Sequence, residues 1–158
     1  MLTETMVFRT EPGLCDGCRM CELVCSLSKS GFVNPHLARI RVTFDRKNIR
    51  EDAPWPIICR HCKVALCELA CTVTGAITRN ERTGVLVINE SKCNHCLACV
   101  EACPFGAIWV GPNEEILKCD LCDGDPLCVK YCPYRPEHSM AALPFPKQSC
   151  LQFVKRPK

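Results

Sequence analysis

Long apolar runs are missing from this chain, and with them the roughly 18 consecutive apolar residues that a membrane span needs. Missing too is the pattern of a secretory leader: MLTETMVFRTEPGL carries an acid, Glu4, before its first arginine and has neither an apolar stretch nor a twin arginine. Aromatic residues are scarce, at 6 Phe, 2 Trp and 2 Tyr in 158 residues, so something besides side-chain packing must help hold the chain together. Neither GxGxxG nor a P-loop occurs, which removes the common nucleotide-binding loops. These absences predict a cytoplasmic chain with no membrane span, in which thiols stay reduced unless they bind metal.

Cysteine is what the chain has in abundance. Of its 17, 16 fall into four runs, at positions 15/18/21/25, 59/62/67/71, 93/96/99/103 and 119/122/128/132. Zinc takes a tetrahedron of ligands, typically from two separated CxxC knuckles. The compact runs CDGCRMCELVC and CNHCLACVEAC instead set three thiols three residues apart on a tight loop. Such a loop wraps one face of an iron-sulfur cubane, while the fourth cysteine, on the following helical turn, points to a different cluster. The runs therefore work in pairs. CRHCKVALCELAC and CDLCDGDPLCVKYC keep the opening CxxC and the closing three-residue gap but lengthen the middle. Pro104 and Pro133 follow Cys103 and Cys132 and end the short helix there, whereas Ser26 and Thr72 follow Cys25 and Cys71.

The formal net charge of +3 changes meaning once clusters are counted. Each [4Fe-4S] core with four thiolates adds about −2, and four take the total to about −5. The 20 Lys and Arg then compensate buried anionic groups. A nucleic-acid surface would want a basic stripe interleaved with aromatics, so nucleic acid is not an expected partner.

Internal repetition sets the expected architecture. TGAITRNERTGVLVINESKC follows the second run and FGAIWVGPNEEILKC the third. Each reads as Gly-Ala-Ile opening a strand, a polar turn and a second strand. Between the first two runs, ARIRVTF alternates Ile40, Val42 and Phe44 with polar residues, a strand with one buried face. DAPWPII, with two prolines, suits an edge strand or extended linker. The predicted fold class is α+β: two nested ferredoxin-like two-cluster modules built around four iron-sulfur cubanes, with little conventional core. Residues 1–58 and 111–136 form the outer module, 59–110 the inner module, and 137–158, EHSMAALPFPKQSCLQFVKRPK, an extended C-terminal docking tail.

The four-run order over residues 10 to about 135 resembles the four-cluster iron-sulfur electron-transfer subunits of molybdenum and tungsten oxidoreductase complexes. CDGCRMCELVCSLSKSGFVNPHLARIRV is similar, more narrowly, to the small subunits of tungsten-dependent aldehyde oxidoreductases. The resemblance implies ligands that cross between paired runs, all sixteen binding iron. One cluster takes Cys15, Cys18, Cys21 and Cys132, and its partner takes Cys119, Cys122, Cys128 and Cys25. Cys59, Cys62, Cys67 and Cys103 hold a third, and Cys93, Cys96, Cys99 and Cys71 a fourth. It implies a non-catalytic subunit passing single electrons between a tungsten- or molybdenum-pterin catalytic subunit and a second redox partner, a flavin NAD-linked subunit or a ferredoxin. Self-association end to end into filaments is a further partner reading. The alternatives are a freely diffusing polyferredoxin and the corresponding subunit of a formate dehydrogenase or reductase complex. An enzyme built on one catalytic cubane would show a run short of a thiol or a nucleotide loop, and neither is present.

Single residues carry smaller expectations. His61 and His95, inside CRHC and CNHC, are either donors to cluster sulfur or plain solvated loop residues. Cys150 reads as a buried small apolar residue or free thiol in preference to a seventeenth ligand. Trp55 and Trp109 read as packing residues. Lys92 and Lys118, each directly before a cysteine run, are candidates to neutralise cluster charge, against the default of an exposed lysine.

Overall fold

The structure, a computed structural model, describes residues 6–10, 14–44, 54–132 and 150–155. Its strands are short and paired two by two. β1 (Met6–Thr10) lies antiparallel to β8 (Leu151–Lys155), and β2 (Ile40–Thr43) to β3 (Trp55–Ile58). β4 (Ile77–Arg79) pairs with β5 (Leu86–Ile88), and β6 (Ile108–Val110) with β7 (Ile116–Lys118). Four short α-helices accompany them: α1 (Met20–Ser30), α2 (Leu66–Leu69), α3 (Ala98–Glu101) and α4 (Leu127–Lys130). α1 packs on α4 and α2 on α3. The whole is a small α+β fold.

A proline follows the fourth cysteine only where the helix stops. α1 runs on through Cys25 and Ser26 to Ser30 and closes at Gly31, whose left-handed backbone (φ 79°) lets its N–H reach the Leu27 carbonyl at 2.9 Å. Proline at 26 would remove a helical N–H and clash one turn back. The serine is buried instead; its hydroxyl donates to Leu23 O at 3.0 Å and accepts from Asn34 N–H at 3.2 Å. That second bond ties the 3₁₀ turn Pro35–Leu37 back to the helix.

The pair β2–β3 shows how a strand tolerates Pro56. The Val42 N–H points away from β3 and donates to the Glu22 carboxylate of α1 at 2.6 Å. Val42 and Pro56 face one another at a position where the ladder needs no N–H from proline. Ile40 and Val42 are buried as their alternation predicts, but Phe44 lies beyond the strand and is 52% exposed. Its ring covers the first cysteine loop. A Cβ added at Gly17 would sit 2.7 Å from Phe44 Cζ, and Gly17 has φ +76°. Gly17→Ala is therefore expected to cost about 1–2 kcal/mol from backbone strain alone, read as a lower thermal midpoint with weaker cluster retention.

Cysteine is part of the core. The larger buried cluster has 17 members, and seven are cysteines, packed among residues such as Ile40, Ile58, Val85 and Leu121. A smaller one joins Cys99, Ile108 and Ile116. The expected boundary at 110/111 falls in the turn of the β6–β7 hairpin, where Gly111 N–H bonds Glu115 O at 2.8 Å. Ile116 packs with Cys99 and Ile108, so β7 belongs with the elements before it. Hairpins hold their strands together where a cysteine count cannot show it. The Arg41 guanidinium over the Trp109 ring, 4.2 Å from its centroid, joins β2 to β6. In the expected tail, residues 151–155 pair with the chain's own β1, and 137–149 lie outside the described residues.

Candidate cluster sites

Each cysteine run opens with the same backbone device. The second residue between the first two cysteines has a positive φ in all four: Gly17 at 76°, His61 at 47°, His95 at 56° and Leu121 at 60°. Arg19 (58°) and Leu97 (64°) repeat it directly after the second cysteine of the compact runs. Successive residues of this kind turn amide N–H groups inward and form a concavity suited to an anion. In three runs the residue after the first cysteine carries a short side-chain carbonyl or carboxylate that accepts from the second cysteine's N–H. Asp16 binds Cys18 at 3.1 Å, Asn94 binds Cys96 at 3.3 Å and Asp120 binds Cys122 at 3.0 Å. This Asx turn was available in the sequence as D or N at that position.

Amide hydrogens also reach sulfur. The N–H of Arg39 lies 3.2 Å from Cys25 Sγ, and those of His61, Ala107 and Leu121 lie 3.4 Å from the sulfurs of Cys59, Cys103 and Cys119. Where the second run has Thr72 in place of proline, its hydroxyl stands 3.8 Å from Cys96 Sγ, a sulfur of the third run.

Thiols from distant runs surround common cavities. Cys25, Cys119, Cys122 and Cys128 line a space of about 300 Å³. Cys15, Cys18, Cys21 and Cys132 line one of about 330 Å³, with Cys150 in the same wall. Cys71, Cys93, Cys96 and Cys99 line a third of about 330 Å³. Of the remaining four, Cys67 lies within electrostatic reach of Cys59 and Cys103. No two of the 17 cysteines are joined in a disulfide. Among the described residues no three His, Cys, Asp or Glu side chains converge on a single-ion site. Thiols drawn from separate runs around one shared space fit a multi-iron core bound through sulfur.

Cysteines of different groups also come near one another. Cys128 is in electrostatic reach of Cys21, Cys119 of Cys59, and Cys99 of Cys67. Cys18 and Cys96 are exposed, while Cys21, Cys25, Cys59, Cys99, Cys119, Cys128 and Cys132 are buried.

The electrostatics follow from burial. It pushes the Cys119 and Cys128 thiols well above the ordinary range, and Cys18 and Cys99 up to about 11. Thiolates at such positions need a metal to hold them charged, so loading releases protons. Cys15 moves the other way, to about 7, chiefly through its hydrogen bond with Cys150. Burial would raise Asp120, but the Lys29 ammonium at 2.7 Å brings it below the usual carboxylate range. That ion pair pins α1 to the fourth run.

Several expectations change. His61 is 1% exposed and packs 6.5 Å from the Phe8 ring, so it is not a solvated loop residue. His95 is exposed, and its Nδ1 lies 2.9 Å from the Glu114 carbonyl in the β6–β7 turn. Lys92 is exposed, but Lys118 is 5% exposed. Trp109 is buried and Trp55 half-buried. Glu22, inside the first run, was missed; Cys150 is a buried free thiol as expected, but beside Cys15. Glu22 had no distinguishing signal, and Cys150 stands 18 residues beyond the last run. Cys150→Ala should leave every cluster loaded and cost about 1 kcal/mol of packing. Loss of about four irons per chain would make it a ligand.

Comparison with known proteins agrees with this chemistry. Residues 53–138 match the family model of the 4Fe-4S dicluster domain, and residues 12–28 that of a 4Fe-4S binding domain. The chain is 42% identical over 124 residues to the polyferredoxin-like subunit of an aliphatic sulfonate oxidoreductase from Pyrococcus furiosus, covering 77% of this chain and 68% of that protein. It is 34% identical over 163 aligned positions to formate hydrogenlyase subunit 2 of Escherichia coli, covering 79% of this chain and 76% of that protein. Its fold is similar to a chain in the structure of the active-site complex BamBC of benzoyl coenzyme A reductase, with TM-score 0.51 and 24% identity over 96% of this chain and 78% of that one. With more than half its length inside the dicluster model and its cysteines grouped around shared cavities, the chain belongs to the family of 4Fe-4S dicluster ferredoxin domains.

Proposed function

We propose that the chain is the electron-transfer subunit of an oxidoreductase complex and carries four [4Fe-4S] clusters in a row. The carrying observation is the series of cavities lined by cysteines from distant runs, ending in an exposed thiol on each side. The first cluster takes Cys15, Cys18, Cys21 and Cys132, and the second Cys25, Cys119, Cys122 and Cys128. The third takes Cys59, Cys62, Cys67 and Cys103, and the fourth Cys71, Cys93, Cys96 and Cys99. The first two sets belong to an outer module and the last two to an inner module that continues through β7. When bound, such clusters supply one-electron carriers whose irons, all ligated by thiolate, offer no open position to a substrate. The chain's own residues do the rest. The left-handed loops aim N–H groups at sulfur, burial keeps water from the interior sets, and Lys29–Asp120 and Arg41–Trp109 hold the runs in register.

The catalytic partner is a tungsten- or molybdenum-pterin subunit, with aldehyde oxidation as the first reading. A formate-linked complex is the second, favoured by the similarity to formate hydrogenlyase subunit 2. The far end delivers to a flavin NAD-linked subunit, to a ferredoxin, or to a second copy of this chain joined end to end. Untagged co-purification decides among these. Tungsten or molybdenum in the isolated complex supports the pterin partner, and neither metal favours a free carrier. One copy per complex in mass photometry removes the end-to-end reading. About sixteen irons per chain after anaerobic preparation supports four clusters, and zinc in their place overturns them.

A further inference from the structure

Lys118 ends β7 directly before the fourth cysteine run and is 5% exposed. Its Nζ donates to the Leu86 carbonyl of β5 and, at 3.2 Å, to the Cys119 carbonyl. An ammonium out of water needs both hydrogen bonds and a counter-charge. Among the described residues its ion pairs with carboxylates are none, and the sulfurs of Cys67 and Cys119 lie in its field. Those sulfurs belong to the third and second ligand sets. The side chain therefore stands at the junction of the two interior sites.

We propose that Lys118 is an electrostatic positioning residue whose fixed positive charge keeps the two interior clusters of the row reducible. Reduction adds one negative charge to a site that is already anionic. Burial opposes that added charge; no cysteine of the two interior sets is exposed, whereas the end sets have Cys18 and Cys96 open to water. Left alone, the interior would be the hardest part of the row to reduce, a barrier in the middle of the relay. A buried cation between the two interior sites offsets this for both at once. Salt does not screen it there. Lys92, in the corresponding place before the third run, is exposed and has no such effect. The carbonyl bonds fix where the charge sits, and Leu86 comes from the other hairpin, so β5 and β7 jointly hold it.

This inference rests on the four-cluster reading above. The test is a redox titration of the full chain, loaded anaerobically and followed by electron paramagnetic resonance, for the native protein, Lys118→Gln and Lys118→Arg. Iron and sulfide are measured on each sample. Lys118→Gln, which keeps a donor but loses the charge, is expected to lower the midpoints of two signals and leave the other two unmoved. Lys118→Arg is expected to keep all four near native. Four unmoved midpoints in a fully loaded Gln chain overturn the proposal, as does an Arg chain shifted as far as Gln. If the Gln chain loads incompletely, the Arg chain decides: native midpoints support the role of charge, and lowered ones overturn it. Native protein with far fewer than about sixteen irons overturns the cluster reading itself, which separates the two failures.

Discussion

Cys132→Ser is expected to damage the cluster whose other ligands lie over 100 positions away, at Cys15, Cys18 and Cys21, and to spare the third and fourth clusters of the inner module. Cys132 is buried and shares one cavity wall with those three. Iron should fall by about four per chain, and one resonance signal should disappear or change form. A signal lost from the third or fourth cluster would mean that the paired runs are not the first with the fourth. The matching change in the inner module, Cys103→Ser, should remove a different signal, since Cys103 faces Cys67. The two variants together separate the modules spectroscopically.

Removing the clusters should abolish cooperative folding. Seven of the 17 residues in the larger core are cysteines, and the strands number three to five residues in two-stranded pairs. Such pairs are marginal alone. Ligands drawn from runs this far apart mean that binding energy is folding energy. Chelation under oxidising conditions is expected to replace the thermal transition with a broad, shallow change in circular dichroism. A sharp transition surviving in iron-free protein would show that side-chain packing suffices. The sign with pH is also determined. Thiols pushed up by burial, such as Cys119 and Cys128, stay protonated in the cluster-free fold but ionise in the unfolded chain above about 8.5. Whatever residual structure the cluster-free chain keeps is therefore lost as pH rises through that value.

The comparison of sequence and structure is uneven in an instructive way. The strands after Gly-Ala-Ile were readable because β-branched residues alternate between turn-formers, and β4 through β7 are where that pattern sits. Phe44 continued the alternation of Ile40 and Val42 but left the core, because its place is against the Gly17 loop. Periodicity cannot see a contact with a loop 27 positions earlier. The expected module boundary falls inside the β6–β7 hairpin for the same reason: cysteine runs mark ligands, while a hairpin is closed by hydrogen bonds between backbones. Ser26 and Thr72 looked like defects in a proline rule. They are a buried helix-to-turn bond and a hydroxyl beside a sulfur.

Spacing along the chain was enough to specify the chemistry, because a loop carrying thiols three residues apart suits a cubane and little else. The same holds for the short-strand character and the small conventional core, which follow from local pattern and composition. Three-dimensional packing was needed for everything that depends on which runs meet. It brought Cys150 beside Cys15, buried His61, and buried Lys118 against the Leu86 and Cys119 carbonyls. Electrostatic and sulfur contacts act over a few ångströms in space, and residues 15 and 150 become neighbours only after β8 has paired with β1.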